Sequence, residues 1–439
     1  MKEVIAVFDI GKTNKKIFLF DKNSNIVFEN SVRFEEIIDD DGFPCDDIDA
    51  IEKWIKDQIK ILQENKSFKL KAINFSTHGA TVVYLDKSGK RITPLYNYLK
   101  PLDDMDFNGF YSNYGGVKEF SRRTASPAYG MLNSGLQMYW LKNKKPHYWK
   151  KVHSILHYQQ YLSYLFSKKI TADFTSIGAH TAIWDFDEMK YHFWLGEEGI
   201  SLPNPVNGKE AITVNLNGEE VAIGSGLHDS SASLIPLLEE NQKEEFILLS
   251  TGTWIISMNP FSKEQLTQTQ LENNCLCFMT TNKKQVKSSM QFLGHVHEVN
   301  VLEFSSFYGK EKDYYFGTSL NKDTCLQTFQ NSEKVFFPNG IPDDYKADVS
   351  QLRSFDSFEE AYHQLVFEIS QLVYEGLEFI LDKDHKLKNI FISGGFNKNL
   401  IFMQYLSLML PDLNIEASEM ENTSALGAAL LMKDYLLKK

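Results

Sequence analysis

Val4-Ile5-Ala6-Val7-Phe8-Asp9-Ile10-Gly11-Lys12-Thr13-Asn14 is the stretch on which the fold turns. The apolar run from Val4 to Phe8 reads as a buried strand, and the acid-bearing glycine turn after it ends that strand. Ile17 to Phe20 resumes as a second strand, Asp21 to Asn25 turns again, and Ile26 to Phe34 forms a third. Beyond an acidic loop, apolar residues at Ile48, Ile51, Ile55, Ile59 and Leu62 step by three, four, four and three, which predicts an amphipathic helix. Ala72 to Ser76 is the next strand. The order β-β-β-α-β, opened by hairpins, is not the strict βαβ alternation of a dinucleotide-binding domain. Nor is Gly11-Lys12-Thr13 a P-loop, because Ala6 stands where that motif needs its first glycine.

The second half repeats the plan. Phe246 to Leu249 runs into Ser250-Thr251-Gly252-Thr253-Trp254, and Ile255 to Met258 runs out. A long helix is predicted from Phe358 to Asp382, and a strand at Ile390 to Ile392 ends in Ser393-Gly394-Gly395. Another helix starts near Asn399, and Asn422-Thr423-Ser424 caps a final helix of small residues. Gly252 follows Gly11 by 241 residues, so each half reads as one copy of a duplicated α/β domain, with the division at 1–235 and 236–439.

The 439 residues exceed the roughly 150 of one typical domain. A 43% hydrophobic, 24% charged composition excludes disordered and fibrous classes. A net charge of −12 argues against nucleic acid or an anionic membrane as partner. Cys45, Cys275, Cys277 and Cys325 are too few for a disulfide framework, and Cys275-Leu276-Cys277 reads as a strand with buried thiols rather than a zinc site. The opening residues turn acidic at Asp9, too early for an export signal, and no apolar run is long enough to cross a membrane. A reducing, cytoplasmic location is expected.

An acid at a strand end followed by a glycine hairpin can present backbone N–H groups to an anion while the carboxylate holds a Mg²⁺ ion through water. One such turn is more simply a bare hairpin. Two in equivalent places, with Ser393-Gly394-Gly395 at a strand-to-helix junction, favour a nucleotide. Between the halves, Gly224-Ser225-Gly226-Leu227-His228-Asp229 leads into a helix predicted at Ser233 to Leu238. Asp229 has two readings, a helix N-cap or a general base that takes a proton from an attacking hydroxyl.

Asp9-x-Gly11, His228-Asp229, Ser250-Thr251-Gly252-Thr253-Trp254 and Ser393-Gly394-Gly395, in this order and spacing, resemble the FGGY carbohydrate kinases. Ser76-Thr77-His78-Gly79, Thr171-Ala172-Asp173-Phe174-Thr175-Ser176 and Ala425-Leu426-Gly427-Ala428-Ala429 extend the likeness over nearly the whole chain, closest to the rhamnulokinase and fuculokinase branches. The resemblance implies a duplicated actin-like (ribonuclease H-like) fold, ATP and Mg²⁺ in an inter-domain cleft, and transfer of the γ-phosphoryl group to a primary hydroxyl of a small ketose. Asp229 then matches the catalytic base and Asp9 the metal-facing acid. Gly11, Lys12, Thr13, Asn14, Lys16, Thr251, Gly252 and Thr253 match the phosphate loops, Gly394, Gly395 and Asn399 the adenosine side, and His78 with Gly79 the sugar site. Such a protein also admits a homodimer. A polyol kinase and a non-catalytic nucleotide switch on the same fold are the rival readings.

The chain departs from the family pattern in three places. Lys12 and Lys16 replace the usual Thr and Arg of the first turn, and a lysine is a point charge rather than a fork. Phe396 replaces a small residue on the adenosine side. Asn97-Tyr98-Leu99-Lys100-Pro101-Leu102-Asp103-Asp104 stands where the family has Trp-x-Asp-x-Arg. Elsewhere the bland readings are preferred. His295 and His297 with Glu298 lack a further metal ligand, Tyr158, Tyr161 and Tyr164 face a core, and Asp39-Asp40-Asp41 is a solvated loop.

Overall fold

A computed structural model describes residues 1–102, 105–331, 335–338, 340–342 and 345–437. Two sheets organise it. In the first, Lys2–Ile10 pairs antiparallel with Lys15–Phe20, which pairs antiparallel with Ile26–Val32. On its other flank Lys2–Ile10 lies parallel to Phe68–Thr77, followed by Glu219–Gly224 and, at the edge, Ala211–Leu216. In the second sheet Glu245–Thr251 takes the central place. It is antiparallel to Ile255–Asn259, then come Gln285–Gln291 and Cys275–Met279. On its other side it is parallel to Leu387–Gly394, which is parallel to Asn414–Ala417. Five consecutive positions, centred on Lys2–Ile10 and on Glu245–Thr251, agree in order and sense between the sheets, so the repeat read from the two glycine turns is present in the backbone.

The helices form where the apolar spacing places them. Helix Ile48–Glu64 buries Ile48, Ile51, Ile55, Ile59 and Leu62, the five residues of the predicted stripe, and Asp47 caps it by accepting from Ala50 N. Burying each such side chain is worth about 1.5–3 kcal/mol, which is what fixes this face against the sheet. Helix Phe358–Ile380, capped by Ser357, is the long helix of the second half. Cys275 and Cys277 lie on a buried strand, as expected, and burial pushes both thiols up to about 12.

Two expectations are corrected. The helix expected at Ser233 starts at Asp229 and runs to Glu240, because the small residues from Ser230 to Ser233 are already helical. Asp39-Asp40-Asp41 is not simply solvated. Lys100 reaches Asp39 (2.6 Å) and Asp41, Lys145 reaches Asp40 (2.7 Å) and Asp41, and both ammonium groups lie over the rings of Tyr96 and Trp140. These cations supply the charge that three adjacent carboxylates need. Helix Thr423–Leu430 packs on the first sheet: its Ala425, Ala428 and Ala429, with Leu431 and Met432 just after it, share an apolar cluster with Ile5, Val7, Phe18, Phe20 and Ala72.

Candidate functional site

Asp9 sits near the end of the opening strand, opposite Ser76 on one neighbour and Lys16 on the other. Its carboxylate accepts from Ser424 Oγ at 3.3 Å, a bond from the last small-residue helix. Burial, and then the nearby Asp229 carboxylate, push the Asp9 pKa up to about 6, against the smaller opposing pull of Ser424 and Lys16. Past it the chain turns tightly, with Gly11 N donating to Asn14 O at 3.0 Å. Thr13 and Asn14 are exposed on that turn, and Asn14 Oδ1 accepts from Arg33 Nε.

Asp229 is the first residue of its helix, while His228 holds the N-cap position in extended conformation. The carboxylate is therefore not the cap. Its Oδ1 accepts from Ser230 N (2.6 Å) and Ser230 Oγ (3.3 Å) and lies 3.3 Å from His228 Nε2. Burial raises its pKa, and the neighbouring His78 works in the opposite direction. Those contacts all fall on Oδ1, and the side chain remains 36% exposed.

The His228 ring is wedged between Gly79, where a Cβ would come within 3.1 Å of its Cδ2, and Phe278 at 5.4 Å. Its backbone N–H donates to Thr175 Oγ1 at 2.9 Å, and that hydroxyl donates to Asp173, which also caps helix Phe174–Ile177. Burial holds His228 down to about 3 and both His157 and His180 to about 4, so these imidazoles are neutral around Asp229. His78 Nδ1 donates to Gly79 O (3.0 Å), while its buried Nε2 has no partner among the described residues. Its ring lies 5.5 Å from that of Tyr98 and 5.7 Å from that of Tyr158.

In the second half, Gly252 N donates to Trp254 O at 3.0 Å, and Gly252, Thr253 and Trp254 are exposed. Nothing but Trp254 O, at 3.8 Å, approaches where a Gly252 Cβ would be, so this turn is an open cradle. Thr251 is buried, and its hydroxyl donates to Ser393 O and accepts from Phe396 N, tying the turn to the Gly394-Gly395 junction. Gly394 has φ +86°, a conformation that favours glycine. Asn399 caps helix Leu400–Met409 and donates to Tyr362 OH. Phe396 is buried against His297 and Phe402, part of the core rather than an open face.

The fold thus gathers Asp9, Lys16, Asp229, His78 and Gly79 at one place. It joins Thr251 to Gly394 at another. Lys12 goes elsewhere, pairing with Glu36 (2.7 Å) and Asp46 (3.3 Å). Several contributors escape sequence reasoning. Ser424 reads there as a cap, and Gly294, whose Cβ would meet Gly252 O at 1.8 Å, lies in an unremarked helix start. Tyr98 and Asp46 carried no signal beyond their place in departing or acidic segments. His295 and His297 bind no common carboxylate, and His297 instead contacts Tyr362 OH at 3.2 Å. Tyr158 and Tyr161 are buried as expected, though Tyr158 adjoins His78. Asp103 and Asp104 lie outside the described residues.

Residues 4–236 match the N-terminal domain of the FGGY family of carbohydrate kinases. A rhamnulokinase of Oceanobacillus iheyensis is 24% identical over 270 residues, which cover 58% of this chain and 55% of that protein. The chain therefore spans little more than half the length of the curated relatives it matches. Among solved structures, a carbohydrate kinase from Novosphingobium aromaticivorans superposes with a TM-score of 0.81 at 20% identity, over 98% of this chain and 93% of that one. A ligand-bound xylulose kinase from Lactobacillus acidophilus gives 0.79 at 18% identity, over 100% and 90%. The fold is the two-domain actin-like one that these proteins share, as the motif resemblance implied.

Proposed function

The chain belongs to the FGGY family of carbohydrate kinases, and from that premise we propose that it transfers the γ-phosphoryl group of ATP to a primary hydroxyl of a small ketose. The observation that carries this reading is the neighbourhood of the Asp9 and Asp229 carboxylates, beside His78, with one Asp229 oxygen already engaged by Ser230 donors. The free oxygen is the proton acceptor for the sugar hydroxyl as it attacks. Burial makes it more basic than an exposed aspartate, which suits a general base working near neutrality. The neutral His228 ring, 3.3 Å from Oδ1, lies beside the carboxylate without supplying a counter-charge.

Two neighbouring carboxylates, with Lys16 across the strand pair, fit a divalent cation, and the open cradle at Gly252 fits phosphate oxygens. Mg²⁺-ATP, when bound, supplies the phosphoryl group and the positive charge that relieves this crowding. Gly11, Thr13 and Asn14 would offer the first turn to it, Thr251, Gly252 and Thr253 the second, and Gly394, Gly395 and Asn399 the nucleoside side. Lysine at position 16 holds its charge by one point contact. The sheets would move as two bodies, 1–235 and 236–439, with the final helix riding on the first. Among the described residues no helix is long and apolar enough to cross a membrane.

A nucleotide switch has no use for an acceptor-side base, which is why the kinase reading is preferred. The test is ADP release against ketopentoses, 6-deoxyketohexoses and polyols, with Asp229→Asn as control. Stimulation by a ketose that the variant loses supports the proposal, and stimulation by glycerol alone selects the polyol reading. ATP hydrolysis indifferent to every acceptor refutes both.

A further inference from the structure

Asp229 opens its helix at a point that lacks an ordinary cap. His228 stands at the cap position (φ −71°, ψ 131°), and its side chain makes no capping bond. The first N–H groups of a helix have no partner inside it, so such a start is loose unless something outside the helix holds it. Two contacts fix the backbone here. Leu227 and His228 lie beside Ser76 and Thr77 in the first sheet, and His228 N donates to Thr175 Oγ1 at 2.9 Å, from 53 residues away in sequence. That hydroxyl is itself oriented. Its one proton goes to Asp173 Oδ1, which leaves a lone pair aimed at the His228 N–H. Asp173 Oδ1 also accepts from Thr175 N (2.9 Å), Ser176 N (3.2 Å) and Ser176 Oγ (3.4 Å), and both Asp173 and Thr175 are wholly buried.

Helix capping does not account for this arrangement. The cap of helix Phe174–Ile177 is complete with the two backbone N–H bonds to Asp173, whatever side chain stands at position 175. The Thr175 hydroxyl adds nothing to that cap. It bonds instead to the residue that precedes Asp229. The helix that carries it is firmly seated, because a Cβ on Gly178, its C-cap, would come within 2.7 Å of Met279 Cβ on strand Cys275–Met279 of the second sheet. At such close packing the hydroxyl is a fixed reference point rather than a loop contact.

We propose that Thr175, oriented by Asp173, is a positioning residue for phosphoryl transfer: its hydroxyl anchors the His228 backbone, and through it the direction in which Asp229 presents its carboxylate. Being buried, Thr175 touches neither substrate. This role rests on the reading of Asp229 as the general base. A displacement of about 1 Å at a reacting group costs up to roughly 100-fold in rate, which is the scale on which a lost anchor acts. Valine at position 175 keeps the shape of threonine but offers neither donor nor acceptor, so the His228 N–H loses its partner.

The test follows ADP release by the full chain, with L-rhamnulose and D-xylulose as acceptors, in Thr175→Val, Thr175→Ser, Asp229→Asn and the double variant Thr175→Val with Asp229→Asn. Thr175→Val should lower kcat about 10- to 100-fold, while KM for acceptor and for ATP stays within about threefold of wild type. Thr175→Ser restores the hydroxyl and should bring kcat back to within about threefold of wild type. In the Asp229→Asn background Thr175→Val should cost less than about twofold, because the group it positions is already gone. Rates are taken per folded molecule, with the folded fraction read by circular dichroism. Thr175→Ala removes the hydroxyl without added bulk, carries the same expectations, and replaces the valine variant if that one does not fold. A wild-type kcat in Thr175→Val, a rise in KM alone, a serine variant as slow as the valine, or an equal loss in both backgrounds overturns the positioning role. Each of these leaves the base reading standing as long as Asp229→Asn is slow. Asp229→Asn as fast as wild type, or a wild type that answers neither ketose, overturns the base reading and the role of Thr175 with it.

Discussion

Replacing Gly394 with alanine should damage nucleotide binding through a displacement that can be worked out from the backbone. Gly394 has φ +86° and ψ −152°, a region in which a side chain costs about 1–3 kcal/mol. Its Cβ would lie 2.2 Å from Thr251 O and 2.7 Å from Thr251 C, where ordinary contact begins at 3.4 Å. Thr251 must therefore retreat by roughly 1 Å. It is the ladder partner of Gly394 and its hydroxyl bridges Ser393 O and Phe396 N, so the retreat loosens those bonds as well. Strain and weakened bonds together amount to roughly 2–4 kcal/mol, a drop of several degrees in Tm without loss of the fold. A shift of that size at a positioning turn is worth up to ~100-fold in binding or rate. Calorimetric titration with an ATP analogue, beside thermal melts, reads both effects. Gly218→Ala supplies the control, having φ +94° but nothing within 4 Å, so it carries the strain without the collision. Gly395→Ala, whose Cβ would be 3.6 Å from Thr251 O, should melt like wild type. Analogue affinity in Gly394→Ala equal to that of Gly218→Ala would refute the placement of this junction in the nucleotide site.

Asp229→Asn should lower kcat by about 10² or more while Tm stays put, since the side chain does not cap its helix; a variant that melts early but works normally per folded molecule reverses that conclusion. The pH profile of kcat/KM should carry an acid limb near 6, because Asp9 keeps its proton in the native protein up to about that value and must lose it to face a cation, whereas His157, His180 and His228 stay neutral throughout. A limb near 4 would show that Asp9 ionises freely. Asp173 is held up to about 7 by burial, and its Oδ2 has no partner among the described residues. The native state thus binds more protons than the unfolded one between its ordinary value and 7, and stability falls as pH rises through that window. Asp173→Asn keeps an acceptor for Thr175 N and Ser176 N, so its Tm relative to wild type should climb between pH 5 and pH 8, and a decline would contradict the burial argument.

Local pattern carried the parts of this protein that local physics determines. The stripe from Ile48 to Leu62 and the strand ends at Asp9, Thr251 and Gly394 are legible because apolar period and glycine turns act over a few residues. What stayed hidden acts across the chain. Lys12 is paired by Glu36 and Asp46, 24 and 34 residues on. Lys145 answers Asp40 over a separation of 105 residues, and Ser424 answers Asp9 over 415. No spacing rule connects such pairs, because only the folded sheets bring them together. Asp229 was legible as a residue of interest, but spacing alone did not separate base from cap. The one-residue shift that puts His228 at the cap removes the cap reading and leaves the base as the proposal.

The helix at Thr423–Leu430 gives the chain an unusual order of assembly. Its glycine, Gly427, sits where a Cβ would be 2.0 Å from Ala232 O, so it interlocks with helix Asp229–Glu240 at backbone contact distance. On the ribosome the first sheet is complete in sequence once residue 228 has emerged, yet one face of it, with Ile5, Val7, Phe18, Phe20 and Ala72, waits for roughly two hundred further residues before Ala425, Ala428 and Met432 arrive to cover it. During that interval the nascent first half carries an unroofed apolar surface, the kind of exposure that recruits chaperones or invites aggregation. Removal of the last two helices would leave the same surface bare permanently, and would do so without touching a single strand.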